Sequence, residues 1–238
     1  MTSASPFRYD AAVIERFPTV VGGVIVAAGL ANGRASAALA DEYHAEMAAA
    51  IERIGATPLS ELPQLAAWRR VFRGFGVDPT QYRSAAEAHL RRLTKQGDVP
   101  SINTLVDLAN LVSIRHALPV AVFDRRGIAG GTVVRLAAGH EAWVDLGSST
   151  AEHPEPGEVI FADEDAQVTA RRWCWRQSAA SAARDDTRDV LVTVEGHHET
   201  AAADVDRALA DLADLLRRHG GASTMETRVL DAGHPAFE

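Results

Sequence analysis

A single cysteine, Cys174, stands in 238 residues, so no intramolecular disulfide framework can form and no Cys-x-x-Cys pair exists to hold a structural zinc. No apolar run approaches the roughly 20 residues a membrane helix needs. The first ten residues, MTSASPFRYD, lack a basic region followed by a long apolar stretch. These absences predict a soluble protein of a reducing, cytoplasmic setting with no membrane partner. Positive charge is also in deficit. A formal net charge of −8 gives no global attraction for nucleic acid, so any phosphate binding must come from a local basic patch, and no DNA partner is expected. Gly-x-Ser-x-Gly and His-Glu-x-x-His are both missing. His116 and His140 have no metal-ligand spacing, and the adjacent His197 and His198 would point to opposite faces of an extended chain. Neither a triad hydrolase nor a metallohydrolase is supported, and no metal or cofactor is expected. Oligomeric state is not legible.

What is present is an ordinary globular composition, 47% hydrophobic and 24% charged, enough for one substantial core or two small ones. VVGGVIVAAGL at residues 20–30 is β-branched and glycine-punctuated, which predicts a buried strand; its glycines lack phosphate-loop spacing. Leu39, Tyr43, Met47, Ile51 and Ile54 recur at helical steps before Gly55. A second helix carries Leu65, Trp68 and Phe72. A third opens with Ser84 and Glu87 at capping-box spacing and closes at Gly97. From residue 118 short apolar runs predict strands: LPVAVFD, GTVVRLA, EAWVDLG, EVIFAD, QVTARRWCW and DVLVTVEG. A helix with Val205, Leu209, Leu212 and Leu216 on one face follows, then a last strand, METRVL. The order predicts an α+β fold, with mixed and antiparallel sheets packed against helices. The expected organisation is an N-terminal tail over residues 1–15 and a single domain over residues 16–238.

The helix predicted over residues 101–114, SINTLVDLANLVSI, is apolar around most of its circumference but carries Asn103, Asp107 and Asn110 within about 60° of one another. A buried carboxylate and two amides need partners, and Arg176, Arg172 or Arg135 would serve. The stripe reads either as an internal hydrogen-bond network or as a polar wall. ARRWCWRQS at residues 170–178 concentrates two tryptophans and three arginines. Strand alternation would put Thr169, Arg171, Trp173, Trp175 and Gln177 on one face and Arg172, Cys174 and Arg176 on the other, with the tryptophans serving as core or as a stacking wall. Arg69, Arg70 and Arg73, followed by Arg83, Arg91, Arg92 and Lys95 on the next helix, could form one positive surface for RNA phosphates or remain solvated helix faces.

WRRVFRGFGVDPTQYRSAAEAHLRR, INTLVDLANLVSIRHALPVAVFD, VVRLAAGHE, PGEVIFAD and RRWCWRQS together closely resemble the B3/B4 domain, the editing domain of the bacterial phenylalanyl-tRNA synthetase β subunit, which also exists as a freestanding protein. The most specific parts are Val-Asp-x-x-Asn at 106–110, Leu-Pro-x-x-x-x-Asp at 118–124 and Trp-x-Trp-Arg at 173–176. In the synthetase this domain hydrolyses tyrosine wrongly attached to phenylalanine tRNA. The resemblance therefore implies a freestanding deacylase acting on the aminoacylated acceptor end of a tRNA. Asn110, Asp107 and Arg176 are the implied catalytic residues, and Asn103, Ala121, Trp173, Trp175 and Thr193 the substrate wall. Arg69, Arg70, Arg73, Arg91 and Arg92 would contact RNA. Two departures stand out: Ala121 replaces a histidine of the family, and Thr193 lies at about the position of a glutamate that recognises the tyrosine hydroxyl. They point away from tyrosine, towards another amino acid or towards a non-catalytic module that binds amino acid or tRNA. A hydrolase of small amino-acid esters is the third reading.

Overall fold

A computed structural model describes residues 5–238. The strands and helices, in chain order, are β1 (Phe7–Tyr9), α1 (Ala11–Arg16), β2 (Val21–Ala28), α2 (Ala37–Ile54), α3 (Pro63–Gly74), α4 (Ala85–Gln96), α5 (Thr104–His116), β3 (Val120–Asp124), β4 (Thr132–Leu136), β5 (Trp143–Val144), β6 (Ala151–Glu152), β7 (Val159–Ala162), β8 (Val168–Arg171), β9 (Arg176–Gln177), β10 (Val190–Gly196), α6 (Ala201–Leu215) and β11 (Thr224–Leu230). One sheet has the order β11-β2-β10-β3 and is antiparallel throughout. The other, β1-β4-β7-β8-β9, is antiparallel except for the parallel pair β1 and β4. The α+β expectation with mixed sheets holds.

Strand alternation divides β10 between two cores. Val190, Val192 and Val194 pack with α2, α5 and α6 side chains such as Met47, Leu108 and Leu209. Leu191 faces the other way, into a cluster with Phe7, Phe123, Phe161 and Trp173. Helices, four-stranded sheet and five-stranded sheet therefore stack as three layers, and Thr193 and Glu195 share the Leu191 side, in the seam between the sheets.

The helix boundaries follow local chemistry. Ser36 caps α2 by accepting from the Leu39 amide at 3.2 Å. Ser84 does the same for α4 with the Glu87 amide, and Gly97 closes that helix in a left-handed conformation. Glu87 does not return the capping-box bond, because its carboxylate is taken by Arg69 at 2.6 Å.

The expected tail does not hold for residues 7–15. Phe7 is fully buried, β1 pairs in register with β4 from Thr132 to Val134, and Asp10 caps α1. Three residues are too short to show alternation, and their partner strand lies more than a hundred residues away. Residues 1–4 of that expectation lie outside the described residues.

Candidate functional site

A cavity of about 330 Å³ opens into the seam. Its floor is built by β3 and β10, where Ala121 and Thr193 sit directly opposite each other, with Phe123 and Glu195 one step along on the same face. A second wall comes from the helices, with His89 of α4 and Val106 and Asn110 of α5. The third runs from Phe161 and Ala170 through Trp173, Cys174 and Trp175 to Gln177. Ile102 and Leu146, 65% and 53% exposed, stand at the rim beside Arg176.

The tryptophan wall is a turn, which corrects the alternation expected of a strand. β8 ends at Arg171, and Arg172 and Trp173 take left-handed φ values of 45° and 60° with no glycine to ease them. Each such residue costs on the order of 1 kcal/mol or more, so the surroundings must impose the conformation. Glu158 grips the Arg171 guanidinium at 3.0 and 2.9 Å and accepts from the Arg172 amide at 2.9 Å. The Trp173 amide donates to Val159 and the Cys174 carbonyl accepts from Ala85. As a result the two indoles part. Trp173 is fully buried edge-on to Phe17, Trp68 and His197. Trp175 stays half-buried, with the Arg172 and Arg176 guanidinium carbons 4.5 and 4.8 Å from its ring centre.

The expected stripe also separates. Asn103 is the cap of α5, accepting from the Val106 amide at 3.1 Å and donating to the Ala183 carbonyl. Asp107 turns back to Ser101 and the Ile102 amide, at 2.5 and 2.8 Å, so it pins the approach to the helix instead of lining the cavity. Burial raises its pKa against those two bonds. No arginine meets it. Arg176 pairs with Asp145 at 2.5 Å, Arg135 pairs with Glu141, and Arg172 lies over Tyr82 and Trp175. Asn110, Ala121, Thr193, Trp173, Trp175 and Arg176 do line the cavity.

Gln177, expected on the tryptophan face, lines the cavity and donates to the Val122 carbonyl at 2.8 Å. Two further polar lining groups, His89 and Glu195, were not singled out from the sequence. His89 of α4 is partly buried; burial pushes its pKa down to about 4, and its buried Nδ1 has no hydrogen-bond partner among the described residues. Glu195 is 2% exposed; its Oε1 accepts from the Tyr9 hydroxyl at 2.7 Å and the Trp173 indole at 2.9 Å. Burial lifts its carboxyl to about 7 against those two donors. The signal for Glu195 was its two-residue spacing from Thr193. Cys174 is partly buried, and its thiol is pushed well above the usual range, first by desolvation and then by Glu195, so it is held as a thiol.

On the outer surface of α3 and α4, Arg69 is engaged by Glu87, with Arg83 3.8 Å from the same carboxylate. Arg70, Arg73, Arg91 and Arg92 are exposed and make no ion pair among the described residues. Arg69, Arg83, Arg91 and Lys95 line one shallow groove.

The sequence pattern of the B3/4 domain matches residues 67–221. The chain belongs to the B3/4 domain family. A phenylalanine–tRNA ligase beta subunit from Bradyrhizobium diazoefficiens is 32% identical over 128 residues, which are 54% of this chain and 16% of that protein. This B3/4 chain thus corresponds to a small part of that relative. An N-terminal fragment of the phenylalanyl-tRNA synthetase beta-subunit from Pyrococcus horikoshii superposes over 94% of this chain and 52% of the fragment, with a TM-score of 0.46 and 13% identity. The B3/4 match contains the cavity residues from His89 to Glu195 but leaves out β1 and β2, and so Tyr9. Among the described residues no helix is long and apolar enough to cross a membrane.

Proposed function

We propose that this B3/4 protein is a trans-acting deacylase, which hydrolyses the ester of a mischarged aminoacyl-tRNA in the seam cavity. The observation that carries the reading is the convergence of Asn110 and Ala121, from two of the family motifs, with Thr193 on a single cavity large enough for one aminoacyl group. In the reaction water adds to the ester carbonyl carbon, the bond to the ribose oxygen breaks, and that oxygen takes up the proton as free amino acid and tRNA leave. Asn110 and Thr193 supply donors for the developing oxyanion. A water held in the cavity supplies the nucleophile, and its proton passes to the leaving ribose oxygen. Arg176 at the rim meets the terminal phosphate, exposed Ile102 and Leu146 meet the terminal base, and Arg70, Arg73, Arg91 and Arg92 follow the RNA backbone. The cytoplasm, where charged tRNA is found, is the matching setting.

The test is incubation with a panel of misacylated tRNAs. Multiple turnovers are expected on at least one ester, and Asn110→Ala should slow them on the order of a hundredfold. Rates unchanged in folded Asn110→Ala and Arg176→Ala variants would sink the site assignment.

The second reading, a binding module without turnover, is favoured by Ala121 in place of a histidine and by the engagement of Asp107 and Arg176 in internal contacts. It predicts a shift in tRNA mobility with no amino acid released.

A further inference from the structure

We infer that Glu195 is the acceptor for an ammonium group of the ligand, so that the cavity selects amino-acid derivatives carrying a free amine. The inference rests on reading the cavity as an aminoacyl pocket. Exposure gives the cavity a direction. Ile102, Leu146 and Arg176 are open to solvent at one end, whereas Glu195 is almost fully buried at the other. Its two oxygens are unequal. Oε1 already accepts from Tyr9 and Trp173, while Oε2 takes no hydrogen bond from any described residue. The free oxygen belongs to a side chain that lines the cavity.

Among the described residues no cation pairs with this carboxylate. The neighbouring groups come from every side. Tyr9 approaches from β1 and Trp68 from α3, where its indole donates to the Glu195 carbonyl at 3.4 Å. Cys174 approaches from the turn, His197 from just beyond β10, and His89 lines the same cavity from α4. Burial holds the Tyr9 hydroxyl and the Cys174 thiol protonated and both imidazoles neutral, at about 3 for His197 and about 4 for His89. Once ionised, this buried carboxylate has only neutral neighbours and lacks a counter-charge. A ligand hydroxyl would fill the free oxygen yet leave that charge unbalanced, whereas a ligand ammonium satisfies both. Trp173, Phe123 and Phe161 line the same cavity and keep competing water away from the acid.

The ammonium can be the α-amine of an aminoacyl group or a side-chain amine, and amides that cannot be deacylated separate the two. Leucinamide carries the α-amine alone, Nα-acetyl-lysinamide the side-chain amine alone, and Nα-acetyl-leucinamide neither. Titration calorimetry on the full chain should show at least one amine probe binding tenfold or more tightly than Nα-acetyl-leucinamide, and the tighter probe identifies the source. Glu195→Gln keeps the side-chain shape and should abolish the preference; Glu195→Asp should retain part of it. Binding of the preferred probe should tighten from pH 6 to pH 8 in the wild type only, with a proton released at the lower pH. Amine probes that bind no better than Nα-acetyl-leucinamide, or a folded Glu195→Gln protein with the wild-type preference, would overturn the inference. Because these probes undergo no ester hydrolysis, an amine preference without turnover on any tRNA would count against the deacylase alone.

Discussion

Gly22 lies directly opposite Glu195 in the β2–β10 ladder, and a methyl group on Gly22 would come within 2.1 Å of the Tyr9 hydroxyl. The bare backbone at Gly22 is what lets that hydroxyl reach the carboxylate. Gly22→Ala should therefore act at the cavity floor, costing about 1–3 kcal/mol through overpacking and a lost buried hydrogen bond. In a Tyr9→Phe background the same substitution should cost less, and a double-mutant cycle in urea would measure the difference.

The carboxyl of Glu195 titrates at about 7 in the folded protein against 4.5 for the free group. The folded state thus binds the extra proton between those values. Its contribution is fully present below the unfolded value and is lost as pH rises through the folded one. Wild-type stability should fall relative to Glu195→Gln by roughly 3 kcal/mol between acid and mildly alkaline pH. Urea unfolding of both proteins at pH 4 and pH 8 checks this; parallel curves would contradict it.

Glu158 joins Arg171 by two hydrogen bonds and also holds the Arg172 amide. Glu158→Gln leaves a buried guanidinium without its principal counter-charge, and about 3–5 kcal/mol should be lost. Because the same carboxylate fixes the left-handed turn, the tryptophan emission should shift along with the unfolding midpoint.

Among the described residues Arg91 and Arg92 make no ion pair, whereas Arg69 is tied to Glu87. Replacing Arg91 and Arg92 by alanine should lower the salt dependence of tRNA binding by about two in log–log slope with little change in stability. Arg69→Ala should cost stability as well as affinity. Filter binding at several salt concentrations, paired with thermal unfolding, separates the two effects.

The fold was legible in the sequence wherever local chemistry decides it. Ser84, Gly55 and Gly97 mark helix ends through a cap and positive-φ closures, and the apolar run of β10 marks a strand. β1 was not legible, because its meaning lies in a partner strand far along the chain. Nor was the turn after β8, where bulky residues occupy left-handed conformations that sequence preferences assign to glycine and only Glu158 and its neighbours enforce. Within the site, Asn110 and Ala121 could be located by motif and Thr193 by its approximate register. Asn103 and Asp107 were misplaced because the helix begins at Thr104, which leaves Asn103 as a cap and turns Asp107 towards the preceding loop. His89 gave no local sign, since its cavity exists only once α4 and α5 pack against the sheets.

The parallel pairing of β1 with β4 has a kinetic consequence. Such long-range pairing closes slowly, so Tyr9 arrives at Glu195 only once the N-terminal strand has docked. A ligand held by Glu195 in the docked form would draw that strand in by mass action. Occupancy at the core of the molecule should therefore slow amide hydrogen exchange at Phe7 and Tyr9, near the end of the chain.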